Sequence, residues 1–279
     1  MGQTTTTQQL TVGVDIGGTK VAAGLVDSKG HVLFKTRVPM VATGSAAAGF
    51  AAVKGAIDAV LAANPRSREC LVGIGLCSPG PLDPLLGVVI NPPNLPCWRN
   101  FPLAAEVQRA FSIVARVDND ANAAGLAEAI WGVAVGYQNV FYATIGTGIG
   151  TGIVFGQRIY HGRTGSAAEG GHVSIDYHGP QCACGKRGCI EALASGPALA
   201  RRARQRLTGV QAGVSKILAL ADGNPEAITA ETIAKAHQSG DPLATELLAE
   251  TADYLAIWLG SVIDLLEPCL LYTSPSPRD

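Results

Sequence analysis

Charge is scarce in this chain and evenly balanced. Asp, Glu, Lys and Arg make up 15% of its 279 residues, with 21 basic against 22 acidic side chains. A net charge of −1 and the lack of any basic run argue against nucleic acid as a partner, because phosphate binding needs clustered cations. No uninterrupted apolar run reaches the roughly 20 residues that a bilayer-spanning helix requires. The opening MGQTTTTQQL has neither a basic n-region nor an apolar h-region, so it reads as a polar, unordered leader over residues 1–10. The seven cysteines are odd in number and unevenly spaced, which suits a reducing cytoplasm better than a disulfide framework. Two common nucleotide signatures are also missing. G-x-x-x-x-G-K-[ST] occurs nowhere, and Gly146-Thr147-Gly148-Ile149-Gly150 fails the G-x-G-x-x-G spacing. A P-loop enzyme and a Rossmann dehydrogenase are therefore disfavoured.

What is present is apolar sequence and glycine. Apolar residues at 47% exclude a disordered chain, and the length is enough for two lobes with their own cores. Thr11–Ile16, Val21–Val26 and His31–Val38 alternate as strands, with Ser28-Lys29-Gly30 as a hairpin turn. Ala46–Ala63 carries Phe50, Val53, Ile57 and Val60 at helical spacing. Further strands are expected at Leu71–Leu76, Ile113–Val117, Val140–Ile145 and Gly150–Phe155, with a helix at Ala121–Ile130. From Pro197 to Leu266 the chain reads as helices broken near Thr208–Gly213, Asp222–Pro225 and Ser239–Pro242.

Val12–Asp27 and Phe141–Gly156 share one plan: apolar strand, glycine/threonine turn, apolar strand. A duplicated βββαβα lobe would produce it, with the two turns facing each other across a cleft. Glycine turns let backbone N–H groups approach an anion closely, since no Cβ intervenes. Asp15 on the preceding strand suits Mg²⁺ held through water, and Thr19 and Thr147 add hydroxyl donors.

Cys182, Cys184 and Cys189 crowd into eight residues between Glu169 and Glu191. Their separations of two and five do not make a redox C-x-x-C pair, and three adjacent thiols make a poor nucleophile site. A structural Zn²⁺ needs a fourth ligand. His172, ten residues before Cys182, supplies one, with His178 a rival on spacing alone. Gly185 and Gly188 allow the tight knuckle that such a site needs.

Four motifs together resemble the ROK family of bacterial sugar kinases and related repressors, which belongs to the actin-like ATPase superfamily. They are D-I-G-G-T-K at Asp15–Lys20, N-D-A-N at Asn119–Asn122, A-E-G-G-H at Ala168–His172 and C-A-C-G-K-R-G-C-I-E at Cys182–Glu191. The resemblance runs from Val12 to Pro268. It implies an α/β, two-lobed actin-like (ribonuclease H-like) fold with a duplicated core and a zinc-stabilised loop over residues 172–189. The small lobe would span residues 11–118 and the large lobe residues 119–268. It further implies ATP with Mg²⁺, phosphate cradled by Asp15, Gly17, Gly18, Thr19, Lys20, Gly146, Thr147 and Gly148, and zinc on His172, Cys182, Cys184 and Cys189. Asp120 would be the general base. Asn94, Asn119, Asp120, Glu169, His172 and Glu191 would bind a hexose, most simply D-glucose phosphorylated at its 6-hydroxyl. N-Acetylmannosamine, fructose and other hexoses are the alternatives. A homodimer is implied for the full-length protein. A sugar-sensing repressor is the reading from another class. It is disfavoured by Asp120 and by the ten residues before the first strand, which hold no basic recognition helix. Cys97 stands where the family usually has glycine.

The final residues, CLLYTSPSPRD at Cys269–Asp279, look like a translated sequencing-library adapter and have no helical period. They lead to the expectation that Pro268 is the last native residue, that the second lobe lacks a sheet strand, and that part of the nucleotide pocket is missing.

Overall fold

The computed structural model describes residues 9–64, 67–209 and 215–273. The expected leader falls mostly outside them. Its last residue, Leu10, is 2% exposed and already part of the first strand.

The chain forms two compact units. One comprises the residues up to Gly136 together with Val154–Ala168, and the other comprises Tyr137–Ile153 with everything from Glu169 onward. The boundary expected at residues 118/119 therefore differs from the division by contacts. The helix that follows it packs on strands of the first unit.

In the first unit, strand β1 (Leu10–Ile16) buries Leu10, Val12, Val14 and Ile16 on one face, as its alternation dictates. β2 (Lys20–Asp27) and β3 (Val32–Pro39) continue the sheet as an antiparallel meander. Helix α1 (Ala46–Ala62), capped by Ser45, lays Val53, Ile57 and Val60 on it. A single turn, α2 (Ser67–Cys70), leads into β4 (Leu71–Ser78). The short strands β5 (Leu82–Asp83) and β6 (Val88–Val89) form a hairpin ahead of α3 (Leu103–Phe111). Sequence reading missed α3, which buries only Leu103 and Val107. β7 (Ala115–Asn119) runs straight into α4 (Asp120–Trp131), which contacts β4 and β7. The sheet order is β3-β2-β1-β4-β7, with β1, β4 and β7 parallel.

The second unit opens with β8 (Asn139–Ile145) and β9 (Ile149–Phe155). The chain then returns to the first unit, where β10 (Arg158–Ile159) pairs with Val154 and Phe155 and meets α4. A helical layer follows: α5 (Ile190–Ala194), α6 (Gly196–Arg206), α7 (Lys216–Leu220), α8 (Ala230–Gln238) and α9 (Pro242–Leu266). Leu199, Ala203, Ile217, Ile233 and Leu247 form its core. Ser195, Ser215, Thr229 and Asp241 cap α6, α7, α8 and α9 in turn. Trp258 on α9 is fully buried, edge-on to Phe141, with its Nε1–H donating to the Gly170 carbonyl at 3.1 Å. No helix among the described residues is long and apolar enough to cross a membrane.

The missing-strand expectation is overturned. Leu270–Thr273 forms β11, parallel to β8, with Leu270 opposite Val140 and Thr273 opposite Ala143. Glu267 adopts a left-handed conformation (φ 42°) that ends α9, and the Cys269 N–H donates to the Asn139 carbonyl at 2.8 Å. An apolar, aromatic tetrapeptide is what a parallel strand position accepts, and LLYT supplies it. The order β10-β9-β8-β11 then repeats β3-β2-β1-β4, so the duplication inferred from two turns extends to four strands. Residues 274–279 of the expected tail lie outside the described residues.

Candidate active site

In the first unit the parallel strands β1, β4 and β7 finish side by side. Asp15 pairs in register with Cys77, and Cys77 with Asp118. Ligands of open α/β sheets gather at this carboxyl end of parallel strands. Burial pushes the Cys77 thiol up to about 12, and the carboxylates of Asp15, Asp120 and Asp118 add to the effect. Cys77 is therefore a neutral thiol at physiological pH and no nucleophile.

The first glycine turn closes with the Gly17 N–H donating to the Lys20 carbonyl at 2.9 Å. A Cβ on Gly18 would stand 2.7 Å from the Asn94 carbonyl oxygen, so only glycine lets the Asn94 loop lie against the turn. That loop is anchored by fully buried Leu95 and Trp98, and Trp98 Nε1–H donates to the Ala46 carbonyl at 3.2 Å. Asn94 and the Gly17–Thr19 turn, expected to serve sugar and phosphate respectively, are thus neighbours. Cys97, where glycine was expected, keeps the loop in place through its N–H bond to the Ala42 carbonyl at 2.9 Å.

At the end of β7, Asn119 is the N-cap of α4. Its Oδ1 accepts the Ala121 N–H at 2.9 Å, and the Asp120 carboxylate accepts the same N–H at 2.9 Å. Asp120 is an exposed side chain in the first turn of that helix. The local sequence thus carries a cap and a carboxylate suited to general-base work at successive positions.

In the second unit, the Gly146–Gly148 turn closes with the Gly146 N–H donating to the Gly148 carbonyl at 2.9 Å. Its Gly146 carbonyl accepts the Gly196 N–H at the start of α6, also at 2.9 Å. Glu191, expected to touch sugar, also reaches this turn: its Oε2 accepts the Ile149 N–H at 2.9 Å. A Cβ on Gly148 would stand 2.6 Å from that oxygen. The Gly170–His172 stretch forms a 3₁₀ turn packed on β9. The Gly170 N–H donates to Thr151 Oγ1 at 2.8 Å, and a Cβ on Gly171 would lie 2.0 Å from the Ile149 carbonyl. Glu169 precedes this turn, and His172 ends it.

His172, Cys182, Cys184 and Cys189 come together, with one ligand atom from each, all within 4.8 Å of one another. His172 Nδ1 lies 3.6 Å from Cys182 Sγ, and Cys184 Sγ lies 3.6 Å from Cys189 Sγ. A tetrahedron with metal–sulfur bonds of about 2.3 Å has sulfur–sulfur edges of about 3.8 Å, so the quartet fits a metal ion. The thiols' chemistry fits as well. Burial, then the neighbouring thiols, push Cys189 up to about 12, whereas the Lys186 N–H draws Cys184 down. Three clustered thiols disfavour one another's ionisation, and a cation among them reverses that. Gly185 (φ 91°) and Gly188 (φ 62°) make the knuckle, and a Cβ on Gly188 would fall 1.6 Å from the Asp176 carbonyl. His178, the rival ligand, instead lies against the Tyr177 ring with centroids 3.9 Å apart.

Sequence reasoning missed one pair. His161 Nε2 lies 2.6 Å from Asp118 Oδ2, in the same unit as Asp120. No local spacing could reveal two residues 43 positions apart.

A sequence description of the ROK family matches residues 11–271. The chain belongs to the ROK family. The match includes Cys269–Leu271, the start of the segment expected to have no family counterpart. Among relatives of this ROK protein, the glucokinase of Streptomyces coelicolor is 37% identical over 261 residues, which is 93% of this chain and 79% of that one. A ROK glucokinase structure from Streptomyces griseus, in complex with glucose and AMPPNP, is 34% identical. It superposes with a TM-score of 0.76, covering 95% of this chain and 82% of that one. Repressor likeness is weaker where it is as long: the xylose repressor of Caldicellulosiruptor bescii is 28% identical over 92% of this chain and 63% of its own, and that of Bacillus subtilis is 38% identical over 48% of this chain and 35% of its own. The α/β class and the repeated strand order agree with the fold expected of this family.

Proposed function

We propose that this ROK protein is an ATP-dependent hexose kinase that transfers the γ-phosphoryl group of ATP to the 6-hydroxyl of D-glucose. The observation that carries this reading is likeness to glucokinases at 37% identity across 93% of the chain, against 28% across 92% for a xylose repressor. The Asn119–Asp120 helix start at the carboxyl end of the parallel strands supports it.

Phosphoryl transfer asks a protein mainly for positioning, charge compensation and a base near the attacking oxygen. Asp120 accepts the proton of the 6-hydroxyl as that oxygen attacks. Asn94, Asn119, Glu169, His172 and Glu191 orient the remaining hydroxyls, each of which is both donor and acceptor. Backbone N–H groups of the Gly17–Thr19 and Gly146–Gly148 turns other than those of Gly17 and Gly146, which close the turns, hold the phosphates together with Lys20 and the hydroxyls of Thr19 and Thr147. Asp15 would hold Mg²⁺, which would supply charge neutralisation of the phosphates. His172, Cys182, Cys184 and Cys189 would hold zinc, which would crosslink the loop bearing His172 and Glu191. The protein acts as a homodimer in the cytoplasm.

The test is a coupled assay for ADP release across glucose, mannose, fructose and N-acetylmannosamine. Glucose should give the highest kcat/KM. A higher value for another hexose would replace the substrate, and ADP release with none of them would remove the kinase reading.

A further inference from the structure

We infer that His161 is a positioning residue for the phosphoryl-transfer base, acting through Asp118. The inference rests on the kinase reading above but adds a residue that lies outside all four family motifs.

Asp118 is the last residue but one of β7 and stands two positions before Asp120. Its carboxylate is engaged on both oxygens. Oδ1 accepts the Asn119 N–H at 2.8 Å and an Asn122 Nδ2–H at 2.9 Å. Oδ2 meets His161 Nε2 at 2.6 Å. The first two bonds brace the strand-to-helix junction from within: Asn119 is the N-cap of α4, and Asn122 lies in its first turn with only 4% exposure. Asp120 sits between those two residues. Whatever fixes the Asp118 carboxylate therefore fixes the frame from which the Asp120 carboxylate projects.

Among the described residues, His161 is the one hydrogen-bonding partner of Asp118 that comes from outside this segment. It follows β10, and its own carbonyl accepts the Ala167 N–H at 3.2 Å, closing a loop over residues 161–167. Gly162 (φ 65°) and Gly165 (φ 86°) shape that loop, and a Cβ on Gly165 would stand 2.4 Å from the Pro84 ring. Asp118 and His161 side chains are 19% and 25% exposed, so water competes only partly for their bond. A carboxylate with one oxygen released would be free to rotate about χ2 and exchange its bonds to Asn119 and Asn122. Catalytic groups tolerate little such freedom, since a shift of about 1 Å at the reacting centre costs on the order of 10²-fold in rate.

The experiment compares His161→Gln with His161→Asn in the full chain. The Gln amide nitrogen replaces the Nε2 donor, whereas the Asn amide stops short of Asp118. Both are polar and suit a partly exposed site. The Asn variant should lose about 10–100-fold in kcat with little change in KM for ATP or in thermal midpoint, and Gln should recover most of that loss. In an Asp120→Asn background, His161→Asn should cost little more, because the base it positions is already gone. The inference is overturned if His161→Asn keeps wild-type kcat, if Gln falls as far as Asn, or if the loss persists undiminished in the Asp120→Asn background. Normal turnover in His161→Asn beside an active wild type would leave the kinase reading intact. Absence of turnover with every hexose in the wild type itself would defeat that reading.

Discussion

The Glu191 carboxylate accepts the backbone N–H of Ile149, the residue that closes the second glycine turn, at 2.9 Å. Glu191 follows Cys189 of the His172–cysteine cluster by two residues, and its Oε1 lies 3.9 Å from His172 Nδ1. One side chain thus ties the cysteine knuckle to a turn proposed to cradle phosphate. Glu191→Ala should remove a charge-assisted hydrogen bond and cost about 1–2 kcal/mol in stability. It should raise KM for ATP as well as for the hexose, and Glu191→Gln, which retains an acceptor, should raise the ATP value less. Urea unfolding and steady-state kinetics measure both. A change in the hexose KM alone would mean that the bond to Ile149 has no role in nucleotide binding.

Asp120→Asn should lower kcat about 10²–10⁴-fold, the range for loss of a general base. The thermal midpoint should move little, because Asn119 caps α4 independently. Near-normal kcat in this variant would refute the assignment of the base.

Freshly purified, reduced protein should contain one zinc per chain by elemental analysis. Cys184→Ser should lower the zinc content and weaken hexose affinity together, since the same loop bears Glu191. Gly188→Ala should do so more severely, because its Cβ has no room beside the Asp176 carbonyl. Full zinc content in either variant would remove the corresponding residue from the site.

Asp241 makes stability depend on acidity. Burial alone would raise its carboxyl, but the N–H groups of Ala244 and Lys216 and the Ser215 hydroxyl outweigh burial and hold it below the ordinary value. A folded value below the unfolded one means that the ionised form stabilises the native state. That contribution is complete above the unfolded value, about 3.9, and is lost as pH falls through the folded value. Asp241→Asn should therefore be less stable than wild type at pH 7, and the gap should narrow below about pH 4. Denaturant midpoints of both proteins at several pH values measure it. A gap that does not change with pH would show that the charge of Asp241 contributes nothing.

Cys77 should resist alkylation. With its thiol pushed up to about 12 by burial, it carries little thiolate at pH 8. Iodoacetamide at that pH should label exposed Cys269 before Cys77 in the folded protein, as read by peptide mass mapping.

Short-range features were legible in consecutive residues. Glycine turns, the Asn119 cap and the knuckle at Gly185 and Gly188 follow from backbone freedom and local hydrogen bonding, which a few neighbouring residues dictate. The clustering of His172 with the three cysteines was legible for the same reason, since the cysteines lie within eight residues. Long-range pairing settled the rest. Helix α3 escaped notice because it is short and buries only Leu103 and Val107. β11 was not expected because Cys269–Asp279 resembles a translated adapter sequence, and four apolar residues show a strand only through their position beside β8. Glu191 finds the Ile149 N–H across 42 residues, and His161 finds Asp118 across 43. Such partners are chosen by the register of strands that pair far apart in sequence, and no short spacing encodes that register.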